Sequence, residues 1–276
     1  MKIRIVLADT DEKYINHFIR AFKIYYFNEV DIVTFSDSTA LKKYISSRAY
    51  DILLSIASLL PEEAEGKSMI LTSEMGIKEM NGRPAICKYQ KTENLYKGIL
   101  DTIAEQKSGI TYSYETSKES PVIAFTSAAG GVGKTTAALV YTRQLVKKGF
   151  QVMYLSLESF SNIDYFLNAE GSSNFSNVLF AVKCGKGNLQ MKIESSLKQT
   201  YGGVYFFSKP MNPNEIDELD QSEWKEFLDA VRAMGKFHCI VIDLPCANED
   251  TAKKIMPLSD RVLFITDGSD TTTEKT

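Results

Sequence analysis

Short apolar runs alternate with amphipathic segments along this chain from its second residue. IRIVLAD is followed by a stretch in which Tyr14, Phe18, Phe22 and Tyr25 recur at helical spacing, then by VDIVTF, a helical segment over residues 38–48, and YDILLSIA. Short apolar runs read as strands, and apolar residues three or four apart read as one helix face, so strands and helices take turns. SMILTS and PAICKY add two strands and TENLYKGILDTIAEQ a closing helix, which predicts a five-stranded doubly wound sheet over residues 1–106. QKSGITYSYETSKES is polar and without period, so residues 107–120, with Tyr112 and Tyr114, are expected to be a linker. A second array begins with PVIAFTS: a strand, a glycine loop, a helix from Lys134 to about Lys148 closed by Gly149, and the strand FQVMYLSL. VYFFS, HCIVIDLP and RVLFIT supply later strands. NEIDELDQSEWKEFLDAVRAMG reads as one long helix with Trp224, Phe227, Val231 and Met234 on a core-facing stripe. The predicted fold class is α/β, two doubly wound parallel-sheet domains over 1–106 and 121–276.

Composition narrows the function classes. The 276 residues suffice for two domains, and a formal net charge of −3 gives no basic footprint, so no nucleic-acid partner is expected. Cys87, Cys184, Cys239 and Cys246 lie far apart without a CxxC pair, as reduced structural thiols do. The amino terminus is a strand followed by acids rather than a targeting segment, and no apolar run approaches about 18 residues. The expectation is a cytoplasmic protein without a transmembrane segment, peripheral to any membrane machinery it serves.

The first array resembles response-regulator receiver domains. DILLSI, followed by Pro61, matches the strand that carries their phosphate-accepting aspartate, Asp9 and Asp11 stand where they hold magnesium, and Thr72 and Lys88 match their threonine and lysine. The acceptor's own place holds Ile56, which has neither charge nor lone pair. Residues 1–106 are therefore expected to be a degenerate receiver, kept for docking or dimerisation.

SAAGGVGKTT, residues 127–136, lies between a strand and a helix, the setting of a phosphate-binding loop, although the opening glycine of G-x-x-x-x-G-K-[ST] falls on Ala128. Backbone N–H groups of Gly130, Gly131, Val132, Gly133, Lys134, Thr135 and Thr136 can converge on phosphate at a helix N-terminus. Lys134 is the candidate for the outer phosphates, and Thr135 for magnesium. CIVID, four apolar residues ending in Asp243, supplies a magnesium-side carboxylate.

GGVGKTT also resembles the deviant loop of the MinD/ParA ATPases, written x-K-G-G-x-G-K-[ST]; the signature lysine, which in that family reaches the partner subunit's nucleotide, is here Ala129. YLSLES ends where those ATPases have aspartates two apart, and those places fall on Ser156 and Glu158, so Glu158 is a weak candidate for a catalytic role beside Lys134. A receiver-like domain before a MinD-like one, together with YLSLES and VIDLP, is similar to the TadZ/CpaE family of type IV (Flp/Tad) pilus assembly. That resemblance implies ATP and Mg2+ as ligands, a homodimer through the nucleotide-binding domain, pilus or secretion machinery as partners, and localisation often at a cell pole. Ala129 and Ser156 point to at most slow ATP hydrolysis, and because this fold normally continues beyond FITDGSDTTTEKT to hold adenine, either the chain runs on or the base is held differently. Two other readings use the same fold. A tyrosine autokinase calls for a carboxyl-terminal tyrosine cluster, and TTTEKT has none; a chromosome-partitioning ATPase calls for a basic DNA-binding face, which the acidic balance opposes. An iron–sulfur scaffold ATPase needs paired cysteines, and Cys239 and Cys246 lack the spacing.

Overall fold

Ile3, Ile5 and Leu7 turn to one side of the first strand, Val6 and Ala8 to the other, and all five are buried. A strand apolar on both faces belongs inside a sheet covered on both sides. A computed structural model gives that sheet and a second one, describing residues 2–64, 66–105, 120–158, 163–167, 174–185 and 187–268. The chain falls into two compact units, residues 1–110 and 111–276. Residues 107–119 of the expected linker and the tail 269–276 lie outside the described residues.

The first unit runs β1 (Ile3–Ala8), α1 (Glu12–Tyr25), β2 (Val30–Phe35), α2 (Ser38–Ser47), β3 (Ile52–Ser55), β4 (Ser68–Thr72), β5 (Glu79–Met80), β6 (Arg83–Cys87) and α3 (Thr92–Glu105). Its sheet order is β2-β1-β3-β4-β6-β5. All pairings are parallel except the short β5–β6 hairpin. The sheet thus has six strands where five were expected. The added one is folded back by Asn81 and Gly82, both at positive φ (53° and 73°), as the tightest hairpin turn requires. Tyr14, Phe18 and Phe22 are buried on α1, whereas Tyr25, expected on the same stripe, is exposed.

Among the described residues, two crossovers in this unit carry no α-helix. Residues 56–67 contain one 3-10 turn, Glu62–Ala64, and residues 73–82 contain only the hairpin strand. The sheet face turned toward α2 carries mostly small residues over these strands: Ser55, Ser68, Thr72, Ala85 and Cys87 surround Ile70, and all are buried. Loops settle directly on such a face. Ala64 packs with Val6, Ala8, Leu41 and Leu53, and Arg83 donates to Ser68 Oγ (2.9 Å) and to the Glu62 carbonyl (3.3 Å). The opposite face meets α3 closely, since a Cβ on Gly98 would stand 2.5 Å from Ile86 Cδ1.

The second unit runs β7 (Val122–Thr126), α4 (Lys134–Lys147), β8 (Val152–Ser156), α5 (Ile163–Phe166), α6 (Ser176–Cys184), α7 (Leu189–Ser196), β9 (Lys198–Gln199), β10 (Val204–Phe206), α8 (Gln221–Ala233), β11 (Cys239–Asp243), α9 (Asp250–Ile255) and β12 (Arg261–Phe264). Its sheet order is β12-β7-β11-β8-β10-β9, parallel but for β9 at one edge. Alternation along the strands builds a core on each face. Val122, Ala124, Ile240 and Ile242 join α6 to α9 on one, and Ile123, Phe125, Tyr154 and Val241 meet α4 on the other. The long helix expected from Asn214 is two elements. A 3-10 turn at Pro213–Ile216 precedes α8, which begins afresh at Asp220 with a capping box closed by Glu223. Its stripe is core, with Trp224, Phe227 and Val231 fully buried. No helix among the described residues is long and apolar enough to cross a membrane.

Candidate functional site

In the first unit, the residues that resemble a receiver's phosphorylation site are spent on one another. Asp9 accepts from Lys88 Nζ (2.9 Å) and from the Asp11 N–H (2.9 Å). The Asp11 carboxylate caps α1, accepting from the Lys13 and Tyr14 N–H groups (3.0 and 3.1 Å). An acid at a helix N-cap is stabilising there. Thr72 Oγ1 accepts from the Glu74 N–H, and Ile56 donates its N–H to the Ala8 carbonyl. Lys88 lies 4.9 Å from the Tyr14 ring centre and 5.4 Å from that of Tyr89. Burial works against its ammonium, but Asp9 more than offsets this and raises its pKa. No cluster of three or more metal-ligating side chains occurs among the described residues.

The second unit places its candidate site at the carboxyl ends of β7, β8 and β11, where a doubly wound sheet binds its ligands. Gly131 and Gly133 hold φ of 81° and 91°, and an added Cβ at either would touch nothing. Glycine is required there by backbone conformation rather than by crowding. The loop is tied at its base, with Ser127 Oγ donating to the Ala129 carbonyl (2.8 Å) and the Ala247 N–H to the Ser127 carbonyl (2.9 Å). Among the described residues, no hydrogen bond takes up the N–H groups of Gly131 to Thr135.

Lys134 opens α4 with its side chain only 6% exposed, and its ammonium donates to Glu158 Oε1 and to Asp243 Oδ1 (3.0 Å from the latter). Thr135 Oγ1 donates to Asp243 Oδ2 (2.7 Å). Register explains the convergence: Asp243 pairs with Ser156 across β11 and β8, and with Phe125 across β11 and β7, two residues before the loop. Burial raises the pKa of Asp243, opposed by Lys134 and Thr135. Burial also disfavours the Lys134 ammonium, yet Asp243 and Glu158 outweigh it and lift the pKa above the ordinary lysine value. Buried cationic, hydroxyl and carboxylate groups under a cradle of N–H donors fit a nucleotide's phosphates and a hydrated divalent cation.

Lys134, Thr135, Glu158 and Asp243 are thus brought together, with Gly130, Gly131, Val132, Gly133 and Thr136 in the loop and first turn around them. Tyr154, which no sequence motif singles out, joins them. Its hydroxyl donates to Asp243 Oδ2 (3.0 Å), and burial, then Asp243, push its pKa far above the ordinary phenol value, so it stays a donor. A tyrosine in an otherwise apolar strand, two residues before Ser156, was the available signal.

The fold and this site define the class: a phosphate-loop α/β unit of MinD/ParA type, preceded by a receiver-like unit. A family model of the TadZ-like receiver domain matches residues 1–104, and one described as an AAA domain matches residues 120–274, more than half of the chain. The chain belongs to the TadZ/CpaE family, a Tad-pilus-associated ATPase family. No protein of curated function is similar to it in sequence. Among solved structures it is similar to the septum site-determining protein MinD of Pyrococcus horikoshii complexed with Mg-ADP, at 20% identity over 57% of this chain and 62% of that one, with a TM-score of 0.47. A ParA family ATPase from Chlorobium tepidum is 15% identical over 56% of this chain and 64% of its own, with a TM-score of 0.47. MinD in the Aquifex aeolicus MinC:MinD complex is 20% identical over 56% and 60%, again with a TM-score of 0.47. The chain spans less than two thirds of the length of each.

Proposed function

We propose that this protein is an ATP-binding, dimerising factor that localises and assembles a type IV (Flp/Tad) pilus or a related secretion machine, turning ATP over slowly or not at all. One observation carries the reading: Lys134, Thr135 and Asp243 form a single hydrogen-bonded set beneath a glycine loop whose signature-lysine position is Ala129. In this reading the N–H groups of Gly130 to Thr136 and the Lys134 ammonium hold phosphate oxygens. Thr135 and Asp243 hold the magnesium ion, which when bound neutralises phosphate charge. Glu158 gives up Lys134 to the phosphates and is left to orient water, a weak contribution for a side chain that is 37% exposed.

Binding groups are present and two hydrolytic ones are replaced. A cation placed where charge develops in phosphoryl transfer is worth about 10³–10⁵ in rate, and the alanine at 129 supplies none. Ser156 offers a hydroxyl in place of a carboxylate. The ATP-bound dimer should therefore be long-lived. The test is steady-state phosphate release from the full chain, alone and with Tad pilus proteins, beside its sedimentation with ATP and magnesium. Expected are ATP-dependent dimers with little phosphate released, and faster release by Ala129→Lys. Turnover comparable to ordinary MinD-type ATPases would refute the scaffold role.

A further inference from the structure

Asp243 is fully buried and its carboxylate collects three donors: Lys134 Nζ on Oδ1 (3.0 Å), and Thr135 Oγ1 (2.7 Å) and Tyr154 OH (3.0 Å) on Oδ2. Two of the three have other work in the proposed function, Lys134 on phosphate and Thr135 on magnesium. A buried carboxylate that lost both without replacement would be costly to keep in one orientation. Tyr154 lies on β8 beneath α4, outside the phosphate loop, and has no such competing role.

Its placement follows from register. Tyr154 pairs with Val241, two residues before Asp243 on the neighbouring strand, so its side chain stands on the same sheet face. Two strand residues cover about 7 Å, close to the reach of a phenol along the strand. Tyr154 shares one buried apolar cluster with Ile123, Phe125, Leu139, Val204 and Val241, a setting that phenylalanine would suit equally well. The hydroxyl alone is what packing does not explain.

We infer that Tyr154 is a positioning residue for the magnesium-side carboxylate, holding Asp243 in line after nucleotide binding has drawn Lys134 and Thr135 away. The inference rests on the nucleotide-binding reading of the site. Outer partners of this kind change metal affinity by about 10–100-fold when removed.

The experiment is calorimetric ATP binding to the full chain, first in EDTA and then across a magnesium titration, for the wild type, Tyr154→Phe and a chain with 4-aminophenylalanine at position 154. Tyr154→Phe should need at least about tenfold more magnesium to reach the tight-binding state while its affinity in EDTA is unchanged. The 4-amino analogue, which keeps a donor at the ring's para position, should stay near the wild-type midpoint. An unshifted midpoint in Tyr154→Phe, or a shift of equal size with the amino analogue, overturns the inference even though ATP binds. Should Tyr154→Phe melt before it can be titrated, the amino analogue decides alone: a wild-type midpoint supports the inference and a raised one overturns it. A wild type that binds no ATP at any magnesium concentration overturns the nucleotide reading and the inference together.

Discussion

Lys134 sits between two carboxylates, and its partners set the sign of any change at this residue. On the proposed function, Lys134→Ala would remove a charge-assisted contact to phosphate worth about 1.5–3 kcal/mol, so ATP affinity should fall roughly tenfold or more, as calorimetry will read. The same substitution leaves Asp243 buried with only Thr135 and Tyr154 as its donors, so a loss of thermal stability should accompany it. Glu158 acts in the opposite sense. In the proposed function it competes with phosphate for the Lys134 ammonium, and a partly exposed ion pair is worth up to about 1 kcal/mol. Glu158→Gln should therefore tighten ATP binding by up to about fivefold; weaker binding would show that Glu158 supports the ligand rather than competing with it.

At the scale of elements, helix α8 shows how local signals and packing divide the work. Its apolar stripe was legible as a core face, but its start was not, because NEIDELDQSEWKEF keeps helical spacing through the break. Asp220 with Glu223 three residues on is a capping signature, and it places the start at Gln221. Trp224 is fully enclosed with Phe175 and Phe227, their ring centres 6.3 and 5.8 Å away. Trp224→Ala should cost about 3–5 kcal/mol in chemical denaturation. Trp224→Phe should cost much less, since among the described residues the indole N–H has no hydrogen-bond partner to lose. The hairpin of β5 and β6 was equally available in Asn81-Gly82, a turn pair that needs positive φ at both places. The missing crossover helices were not available, because the small residues that let loops lie on the sheet come together only when β3, β4 and β6 are side by side.

For the whole molecule, the two units have lost chemistry in different degrees. With Ile56 at the acceptor place, Asp11 capping a helix and Lys88 closed onto Asp9, the first unit offers no carboxylate nucleophile at the place where a receiver is phosphorylated. Acetyl phosphate or beryllofluoride should leave residues 1–106 unmodified by mass spectrometry and unshifted by NMR, and an acid-labile phosphoryl group mapped to this unit would overturn its reading as a degenerate receiver. The sequence alone determined the α/β class, the two arrays, the phosphate loop and the departures at Ile56, Ala129 and Ser156, because strand and helix periods and a glycine loop are local and each departure is one residue in a known frame. Only the tertiary structure decided what Asp9, Asp11 and Glu158 do, since a carboxylate's partner comes from whichever strand or helix lies beside it. It also decided that Tyr154 reaches Asp243 across 89 residues of chain, a contact that parallel pairing of β8 with β11 creates and no local pattern encodes.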